Sequence, residues 1–228
     1  MNTELSPIEV RARIHAALGD PVRLAIADAL VLADASPGDV ASDLGVSTNL
    51  LAHHLNVLVT AGVIERHRSE HDRRRSYLRL LPAAQAVLSA PALPVARRVV
   101  FVCTRNSARS QLAAALWAAR SRVPVASAGT DPASRVHPRA IRIARRCGLG
   151  IESARTARLD TIRRDGDLLI AVCDHVHETL PVDPARLHWS VADPVPVDTD
   201  AAFEVAYADL AERIDRLVPA MDSKETRS

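Results

Sequence analysis

The sequence predicts two domains of different fold class: a mostly helical N-terminal domain with a β-hairpin, and a C-terminal α/β domain with a four-stranded parallel sheet. Apolar residues recur at helical spacing through residues 8–60, whereas short apolar runs alternate with helical segments after residue 98. A stretch rich in proline and alanine separates the two patterns. We therefore predict an N-terminal domain at 1–82, a linker at 83–97, a C-terminal domain at 98–220 and a disordered tail at 221–228.

The composition is that of a globular protein of the cytoplasm. The chain has 228 residues, 48% of them hydrophobic and 25% charged, and its formal net charge is only +2. It contains no apolar run of about 18 residues, and its N-terminus lacks the apolar core of a signal peptide. We therefore expect no membrane segment and a cytoplasmic location. In that reducing compartment the three cysteines are expected to be thiols.

The N-terminal helices carry clear start and stop signals. Asp20-Pro21 is a typical helix start, and a second short helix is predicted over Pro37–Leu44. Gly45 then breaks the chain, and Ser47 is suited to cap a third helix whose predicted inner face is Leu51, Leu55, Leu58 and Val59. Two helices joined by a tight turn that contains glycine form a helix-turn-helix pattern.

A basic β-hairpin is predicted directly after these helices. Val63–His67 and Ser76–Leu80 have the pattern of two strands around the polar turn Ser69–Arg75. Six arginines face three acidic residues between Glu65 and Arg79. A hairpin in this position is the wing of a winged helix-turn-helix, and its arginines suit contacts with DNA phosphates.

The third helix and the hairpin together predict an interface for operator DNA. The helix would place polar side chains in the major groove, opposite its apolar face. The alternative is an ordinary solvated helix face, which the neighbouring basic hairpin disfavours. The candidate DNA-binding residues are Ser47, Thr48, Asn49, His53, Asn56, Arg66, Arg68, Arg73, Arg74 and Arg75.

The C-terminal half alternates short apolar strands with helices, which is typical of a parallel sheet covered on both faces. The strands are predicted at 99–103, 123–127, 168–173 and 188–191, and helices at 109–121 and 138–147. The last helix is the clearest element, because its apolar residues Phe203, Tyr207, Leu210, Ile214 and Leu217 recur at helical spacing.

A C-x5-R pair lies where the first of these strands meets the following helix. The strand ends at Cys103, a short polar loop follows, and the helix begins near Arg109. Loop amides and a helix N-terminus then converge on one point, bind a tetrahedral oxyanion and favour the thiolate of Cys103 as a nucleophile. The alternative is a buried structural cysteine with a chance arginine. The predicted oxyanion-binding residues are Thr104, Arg105, Asn106, Ser107, Ala108, Arg109 and Ser110.

An acidic residue near the C-terminus is the candidate general acid. Asp193 precedes Pro194 in a proline-rich loop that follows the last predicted strand. Asp-Pro by itself indicates only a turn. Beside an oxyanion loop, however, a carboxylic acid has the chemistry to protonate a leaving oxygen.

The N-terminal half resembles the ArsR-type winged-helix repressors over roughly residues 10–82. The resemblance rests on the runs HAALGDPVRLAIADAL and DVASDLGVSTNLLAHHLNVLVTAGVIERHR and on a hairpin that ends in YLRL. It implies a homodimer that binds a palindromic operator and releases it on sensing a metal or metalloid. The Cys-Val-Cys signature of many arsenic sensors is absent, since no cysteine precedes Cys103. We interpret His53 and His54 as a base contact and a packing residue, and we predict no metal site.

Residues 98–220 resemble the low-molecular-weight protein tyrosine phosphatase fold and, within it, the arsenate reductases. The matching runs are CTRNSARSQ, SAGTDPA, HPRAIRIARRCG and HWSVADP. The resemblance implies that Cys103 attacks arsenate, that Arg109 binds the oxyanion, and that Asp193 acts as the acid. A further thiol then attacks Cys103 and releases arsenite. Cys173 is the candidate because the first and third strands are neighbours in this fold, although it also suits a core position.

Three departures from the family pattern bear on the reaction cycle. Leu180 stands where thioredoxin-coupled relatives carry a further cysteine, and Arg105 replaces a common loop glycine. The helix after the loop lacks the acidic residue with which some relatives hold a monovalent cation. Cys147 sits late in a helix and is interpreted as structural. We therefore expect no bound cofactor and an external thiol reductant: thioredoxin, a glutaredoxin-type protein or a low-molecular-weight thiol.

The sequence leaves three functions open. The first is an arsenic-responsive repressor fused to a working arsenate reductase. The second is a pure regulator whose phosphatase-like domain senses arsenate, phosphate or arsenite. The third is a protein tyrosine phosphatase, which the scarcity of aromatic residues disfavours, since the chain has only two each of Trp, Tyr and Phe.

Overall fold

The computed structural model describes residues 6–88, 93, 96–183 and 185–222. Contacts divide the chain into two compact units. The first unit comprises Met1–Ser69 and Arg73–Pro91, and the second comprises Glu70–Asp72 and Ala92–Ser228. The predicted multidomain architecture is therefore confirmed, although the first unit extends beyond the predicted boundary at residue 82.

Four helices form most of the first unit, and each begins behind a serine or aspartate. Side-chain oxygens of these residues accept hydrogen bonds from first-turn amides, as N-caps do. The helices are α1 (Pro7–Leu18), α2 (Pro21–Ala29), α3 (Pro37–Leu44) and α4 (Thr48–Thr60), and their caps are Ser6, Asp20, Ser36 and Ser47. Gly45 lies between α3 and α4 at a φ of 63°, the left-handed conformation that glycine adopts without steric cost. The predicted helix-turn-helix is confirmed.

The buried face of α4 differs from the prediction at one position. Leu51, Leu55 and Leu58 are buried as predicted, but Val59 is 45% exposed and His54 is buried instead. Val59 follows Leu51 by eight residues, which is about 80° round the helix and off the centre of the leucine stripe. His54 lies on the other side of the same stripe, so it joins the core as a packing residue.

A hairpin and a short helix complete the first unit. Strands β1 (Ile64–Arg68) and β2 (Ser76–Leu80) pair antiparallel, with Arg66 opposite Leu78. Helix α5 (Pro82–Gln85) follows, and its Ala84 is fully buried. Contacts between α5 and α1 hold the start of the predicted linker in the first unit, which is why this unit runs past residue 82.

The second unit contains the predicted four-stranded parallel sheet. Its strands are β3 (Arg98–Cys103), β4 (Val125–Gly129), β5 (Asp167–Ala171) and β6 (Leu187–His188), in the order β4-β3-β5-β6. The first and third strands of this sheet, β3 and β5, are neighbours, as expected. The third strand ends two residues earlier than predicted, so Cys173 lies beyond it.

Five helices accompany this sheet in the part of the unit that the structure describes. They are α6 (Arg109–Arg120), α7 (Pro138–Arg146), α8 (Leu159–Ile162), α9 (Asp174–Thr179) and α10 (Asp200–Asp222). The prediction of disorder from residue 221 is wrong for its first two residues, because Met221 is buried in the last turn of α10. The rest of the predicted tail, 223–228, lies outside the described residues. None of the described helices is long and apolar enough to cross a bilayer.

The core of the second unit is organised around Phe101 at the centre of β3. Its ring centroid lies 6.2 Å from that of Trp117 on α6 and 5.7 Å from that of Trp189 after β6. All three rings are at most 1% exposed. The strand that ends at Cys103 is therefore fixed between a helix and the last segment of the sheet.

Replacing Phe101 with alanine should destabilise the second unit by about 3–5 kcal/mol, since it leaves a cavity between two tryptophans. Urea unfolding followed by tryptophan fluorescence measures this change, because both tryptophans belong to the second unit. Val182→Ala is the control, since Val182 is 96% exposed and its truncation should leave the midpoint unchanged. Equal midpoints for Phe101→Ala and the native protein would contradict this account of the core.

Candidate oxyanion site and nucleic-acid interface

The oxyanion loop, residues 103–110, joins the end of β3 to the start of α6. Helix α6 begins at Arg109 with Ala108 at the N-cap, and no side chain caps its first amides. Helices α1 to α4 of the first unit, in contrast, each begin behind a capping side chain. An uncapped N-terminus leaves amides and the positive end of the helix dipole for an anion.

The thiol of Cys103 lies at the centre of this loop. Its Sγ is 3.2 Å from the backbone N of Asn106, which donates to it, and 3.1 Å from Oγ of Ser110. Cys103 is only 3% exposed. A hydrogen bond to sulfur from a backbone amide stabilises a thiolate, which is the nucleophilic form of cysteine.

Asn106 fixes the shape of the loop through its backbone conformation and its side-chain hydrogen bonds. It adopts a φ of 48°, a left-handed conformation that is uncommon for residues other than glycine. Its side-chain Nδ2 donates to Oγ of Ser110 at 2.8 Å. Its side-chain Oδ1 accepts from Nε2 of Gln111 at 3.2 Å and from the backbone N of Ala157 at 2.8 Å. Sequence reasoning missed Gln111 and Ala157, because no local pattern links residue 106 to residue 157.

Gly129 lies at the end of β4, opposite Cys103 in the parallel register. A Cβ at this position would lie 2.7 Å from the carbonyl O of Thr104 and 3.1 Å from the backbone N of Asn106. The next residue, Thr130, donates its backbone N–H to the carbonyl of Cys103 at 3.3 Å. The end of β4 therefore packs directly against the backbone of the loop, and only glycine fits there.

The structure brings Arg109 and Asp193 together. The Arg109 guanidinium donates to Oδ2 of Asp193 at 2.6 Å and to the carbonyl of Val191 at 2.9 Å, and it is buried. Burial alone lowers the pKa of Arg109, but the surrounding Cys173, Asp193 and Cys103 outweigh it and raise that pKa. Arg109 thus provides a permanent positive charge between the two buried thiols and the candidate acid.

Cys173 lies at the N-cap of α9, with its Sγ 3.8 Å from Oγ1 of Thr104. Burial raises the pKa of Cys173, and the neighbouring Cys103 raises it further, against the lowering effect of Arg109. Its surroundings thus favour the protonated thiol of Cys173. The third cysteine, Cys147, is exposed at the end of α7.

The other predicted loop residues differ in exposure. Asn106, Ser107, Ala108, Arg109 and Ser110 are buried, Thr104 is half-buried, and Arg105 is exposed. The side chain of Arg105 pairs with Asp131, which lies beyond the end of β4. Its charge is thereby partly balanced at the rim of the loop.

A buried polar cluster next to Cys173 escaped the sequence analysis. Asp174 Oδ1 lies 3.0 Å from Nε2 of His188 on β6, and both side chains are 2% exposed. Burial alone would raise the pKa of Asp174, but hydrogen bonds from His188 and Ser190 outweigh it and lower that pKa to about 2. The charged aspartate ties the start of α9 to the segment that leads to Asp193. The motif HWS is the only sequence signal that pointed to this region.

The first unit presents the predicted DNA-binding residues of α4 on its surface. Asn49, His53 and Asn56 are exposed, as is Thr48. Ser47 has a local task in addition, because its Oγ accepts the backbone N–H of Leu50 as the helix cap. His54 is buried with its Nδ1 3.6 Å from Oδ1 of Asp20, so the adjacent histidines have different environments.

Five of the six arginines of the hairpin are exposed, and the sixth, Arg79, is half-buried. The exposed ones line a cleft of about 490 Å³ and are Arg66, Arg68, Arg73, Arg74 and Arg75. Arg79 instead lies 3.7 Å from the buried Asp34 and 4.0 Å from Glu65. The exposed positive charge of the hairpin therefore comes from the five arginines that the sequence predicts to contact DNA. Within the described ranges, no group of three or more His, Cys, Asp or Glu side chains is arranged to hold a metal ion.

Replacing Gly129 with alanine should disturb the oxyanion loop and weaken anion binding at least roughly tenfold, because the new Cβ would overlap the Thr104 carbonyl. Calorimetric titration with phosphate measures the affinity. Gly150→Ala is the matched control, since a Cβ there meets only the end of the flexible Glu152 side chain at 3.6 Å. Phosphate affinity that is the same in both variants would argue against the packing of β4 on the loop.

Comparison with known proteins gives relatives for the second unit. An arsenate reductase of Brevibacillus brevis is 33% identical over 105 residues, which are 43% of this chain and 77% of the relative. An arsenate reductase of Bacillus cereus is 31% identical over 127 residues, or 53% and 92% of the two chains. The crystal structure of an arsenate reductase from Archaeoglobus fulgidus aligns with 31% identity and a TM-score of 0.47, covering 53% of this chain and 98% of that one.

Two family models match different parts of the chain. Residues 18–67 match a helix-turn-helix domain, which covers α2 to α4 and most of β1. Residues 98–227, more than half of the chain, match the low molecular weight phosphotyrosine protein phosphatase family. The chain therefore carries a helix-turn-helix domain at its N-terminus and belongs to the low molecular weight phosphotyrosine protein phosphatase family.

Proposed function

We propose that this chain is an arsenic-responsive transcriptional repressor fused to a thiol-dependent arsenate reductase. The observation that carries the proposal is the arrangement around Cys103: a thiol held by an amide and a hydroxyl, with the buried Arg109–Asp193 pair beside it. Curated relatives with this part of the sequence in common are arsenate reductases. The helix-turn-helix match and the basic hairpin support the regulatory half.

In the first step, the Cys103 thiolate attacks arsenic of a bound arsenate and forms a sulfur–arsenic bond. One arsenate oxygen leaves as water after it takes a proton from Asp193. Arg109 binds two of the remaining oxygens, because its planar guanidinium can donate two parallel hydrogen bonds. The amides at the start of α6 bind the negative charge that develops.

In the second step, the Cys173 sulfur attacks Sγ of Cys103. A disulfide between the two cysteines forms, the sulfur–arsenic bond breaks, and its electron pair stays on arsenic, which leaves as arsenite. Because burial raises the pKa of Cys173, its proton has to be removed before attack. The Thr104 hydroxyl, with Oγ1 3.8 Å from that sulfur, would relay this proton to an oxygen of the departing arsenite. An external thiol then reduces the disulfide.

The first unit is proposed to bind a palindromic operator as a homodimer. Helix α4 would enter the major groove with Asn49, His53 and Asn56 towards the bases. The hairpin arginines would contact the flanking phosphates, which supplies affinity without base specificity. We place this protein in the cytoplasm, where operator DNA and thiol reductants are both present.

A pure regulator is the second candidate, and the position of the cysteines favours it. All three belong to the second unit, and two are buried: Cys103 at the end of β3 and Cys173 two residues beyond the end of the neighbouring β5. As(III) prefers thiolate ligands, so this pair would suit arsenite sensing. Release of operator DNA by arsenite without any turnover of arsenate would select this function.

The aromatic residues disfavour a role as a tyrosine phosphatase. All six Phe, Trp and Tyr side chains lie in the described part of the chain, and five of them are buried. The sixth, Tyr207, is half-buried on α10 and interacts with Cys147. None of the six is exposed to stack on a phosphotyrosine ring. Hydrolysis of para-nitrophenyl phosphate by the purified protein would support a role as a phosphatase.

Cys103→Ser should abolish arsenite production with any thiol donor, because serine cannot form the sulfur–arsenic bond, and operator affinity should stay unchanged. Arsenite assays and a DNA-binding titration measure the two effects. Cys147→Ser, the control, should retain full activity because Cys147 is exposed at the end of α7. Cys173→Ser should form the arsenate adduct yet release arsenite at least roughly a hundredfold more slowly, as expected from loss of a nucleophile.

Two outcomes would count against the proposal. Arsenite production by Cys103→Ser would remove Cys103 from the chemistry. Loss of operator binding in the same variant would contradict the assignment of the two activities to different units.

Replacing Arg73, Arg74 and Arg75 with alanine should weaken operator binding and lower its salt dependence by roughly one unit of slope for each DNA phosphate that is no longer neutralised. Binding titrations at several salt concentrations measure the slope. The matched control is the alanine triple variant of three exposed arginines on α7, Arg142, Arg145 and Arg146. If the slope stays the same in the hairpin variant, the hairpin is not part of the DNA interface.

A further inference from the structure

A second carboxylate lies next to Arg109, in addition to that of Asp193. Oε2 of Glu70 is 3.7 Å from Nη1 of Arg109, and 50% of the Glu70 side chain is exposed. By its contacts the segment Glu70–Asp72 belongs to the second unit, although its neighbours in sequence belong to the first. Neither the proposed chemistry at Cys103 nor the proposed DNA interface uses Glu70.

Hydrogen bonds hold this segment beside the site. The carboxylate of Glu70 accepts the backbone N–H of Asp193, at 3.2 Å to Oε1 and 3.0 Å to Oε2. The backbone N–H of Glu70 donates to Oδ2 of Asp174 at 2.8 Å. His71 follows, with its Nδ1 3.1 Å from Nδ1 of His175 on α9. Contacts with the segment of the candidate acid and with the start of α9 thus fix the position of the Glu70 carboxylate.

Two carboxylates share the one guanidinium of Arg109. Asp193 lies 2.6 Å from Nη2 of Arg109, and Glu70 lies 3.7 Å from Nη1. Burial raises the pKa of Glu70, and it outweighs the lowering effects of Arg109 and of the Asp193 amide. An oxyanion that binds Arg109 therefore comes next to a carboxylate, which accepts hydrogen bonds and, when ionised, donates none.

Tetrahedral oxyanions of equal charge differ in whether they carry a proton. At pH 8 phosphate and arsenate are mainly dianions with one O–H group, whereas sulfate is a dianion without any. A carboxylate can accept a hydrogen bond from that O–H group, but it repels an oxygen that has no proton. Such a site discriminates strongly, because an acceptor that faces another acceptor stays unpaired.

The proposed reduction also requires an oxyanion that carries a proton. The oxygen that leaves arsenate becomes water with a single proton from Asp193 only if it already carries another. An anion without an O–H group would occupy the site and could not release water in this way. Selection of a protonated oxyanion before Cys103 attacks therefore agrees with the proton balance of the reaction.

We propose that Glu70 is a specificity-determining residue, whose carboxylate accepts a hydrogen bond from an O–H group of the oxyanion at Arg109 and thereby excludes sulfate. Because Oε2 of Glu70 and Nη1 of Arg109 are 3.7 Å apart, one anion oxygen can lie within hydrogen-bond distance of both. The inference rests on the proposed oxyanion site. It concerns which anion binds, so its test does not need turnover.

Binding of phosphate and sulfate to the full chain at pH 8 tests this assignment. Calorimetric titrations give both affinities for the native protein, Glu70→Gln and the control Glu204→Gln. Glu204 is exposed on α10 and pairs with Arg146 at 2.7 Å. We expect the native protein and the control to prefer phosphate at least roughly tenfold, as for one lost hydrogen bond to a charged group.

Glu70→Gln should bind sulfate roughly tenfold or more tightly than the native protein does, because the glutamine amide can donate where the carboxylate only accepts. Its affinity for phosphate should change less, since the glutamine carbonyl still accepts the O–H group. Glu70→Ala, which has neither the charge nor the donor, should also lower the preference for phosphate.

An unchanged ratio of the two affinities in both Glu70 variants would overturn the assignment, as would a native protein without a preference for phosphate. An equal gain for both anions would overturn it too, and would make Glu70 an internal anion that competes for Arg109. An equal loss for both would reduce Glu70 to a support of the Asp193 segment. If phosphate binds neither the native protein nor any variant, the proposed oxyanion site itself is wrong, and the inference falls with it.

Discussion

The site depends on one constraint: the chain must turn from β3 into α6 so tightly that a loop amide and a helix hydroxyl both reach the sulfur of Cys103. Asn106 satisfies it by adopting a left-handed backbone conformation, with its own amide N–H directed at the sulfur. This strained residue is held from outside the loop, by Gln111 on the next helix and by the backbone of Ala157. Gly129 completes the support, because the backbone of β4 can approach the loop only where no Cβ intervenes.

The buried charge of Arg109 imposes a second constraint on the segment after β6. A guanidinium away from water needs partners for its donors, and here they are the carbonyl of Val191 and the carboxylate of Asp193. The same interaction places the candidate acid next to the oxyanion loop. Asp174 and His188 fix that segment at its other end. The candidate anion-binding group and the candidate acid are thus positioned by one set of contacts.

The two units rely on different physical means for their predicted tasks. The first unit keeps its helices in place with serine and aspartate caps and exposes five arginines on a hairpin, so its surface is suited to a polyanion. The second unit leaves the start of α6 uncapped and buries two thiols beside it, so it is suited to a small anion and to sulfur chemistry. An exposed arginine surface does not suit thiol chemistry on a small anion, and a buried thiol site does not suit a polyanion. The two predicted tasks therefore require two domains.

Local signals in the sequence determined the type and order of most elements, the helix caps, the parallel sheet and the junction of Cys103 and Arg109, because each rests on residues a few positions apart. Side-chain contacts across long stretches of chain were decided only by the tertiary structure. The left-handed Asn106 and its partner Ala157, the fit of Gly129 on Thr104, and the pairing of Asp174 with His188 are such contacts. So is the exposure of Val59, which the spacing of the leucines on α4 had placed in the core. Periodicity and spacing identify which residues share a face or a loop, but packing between elements distant in sequence selects which atoms meet.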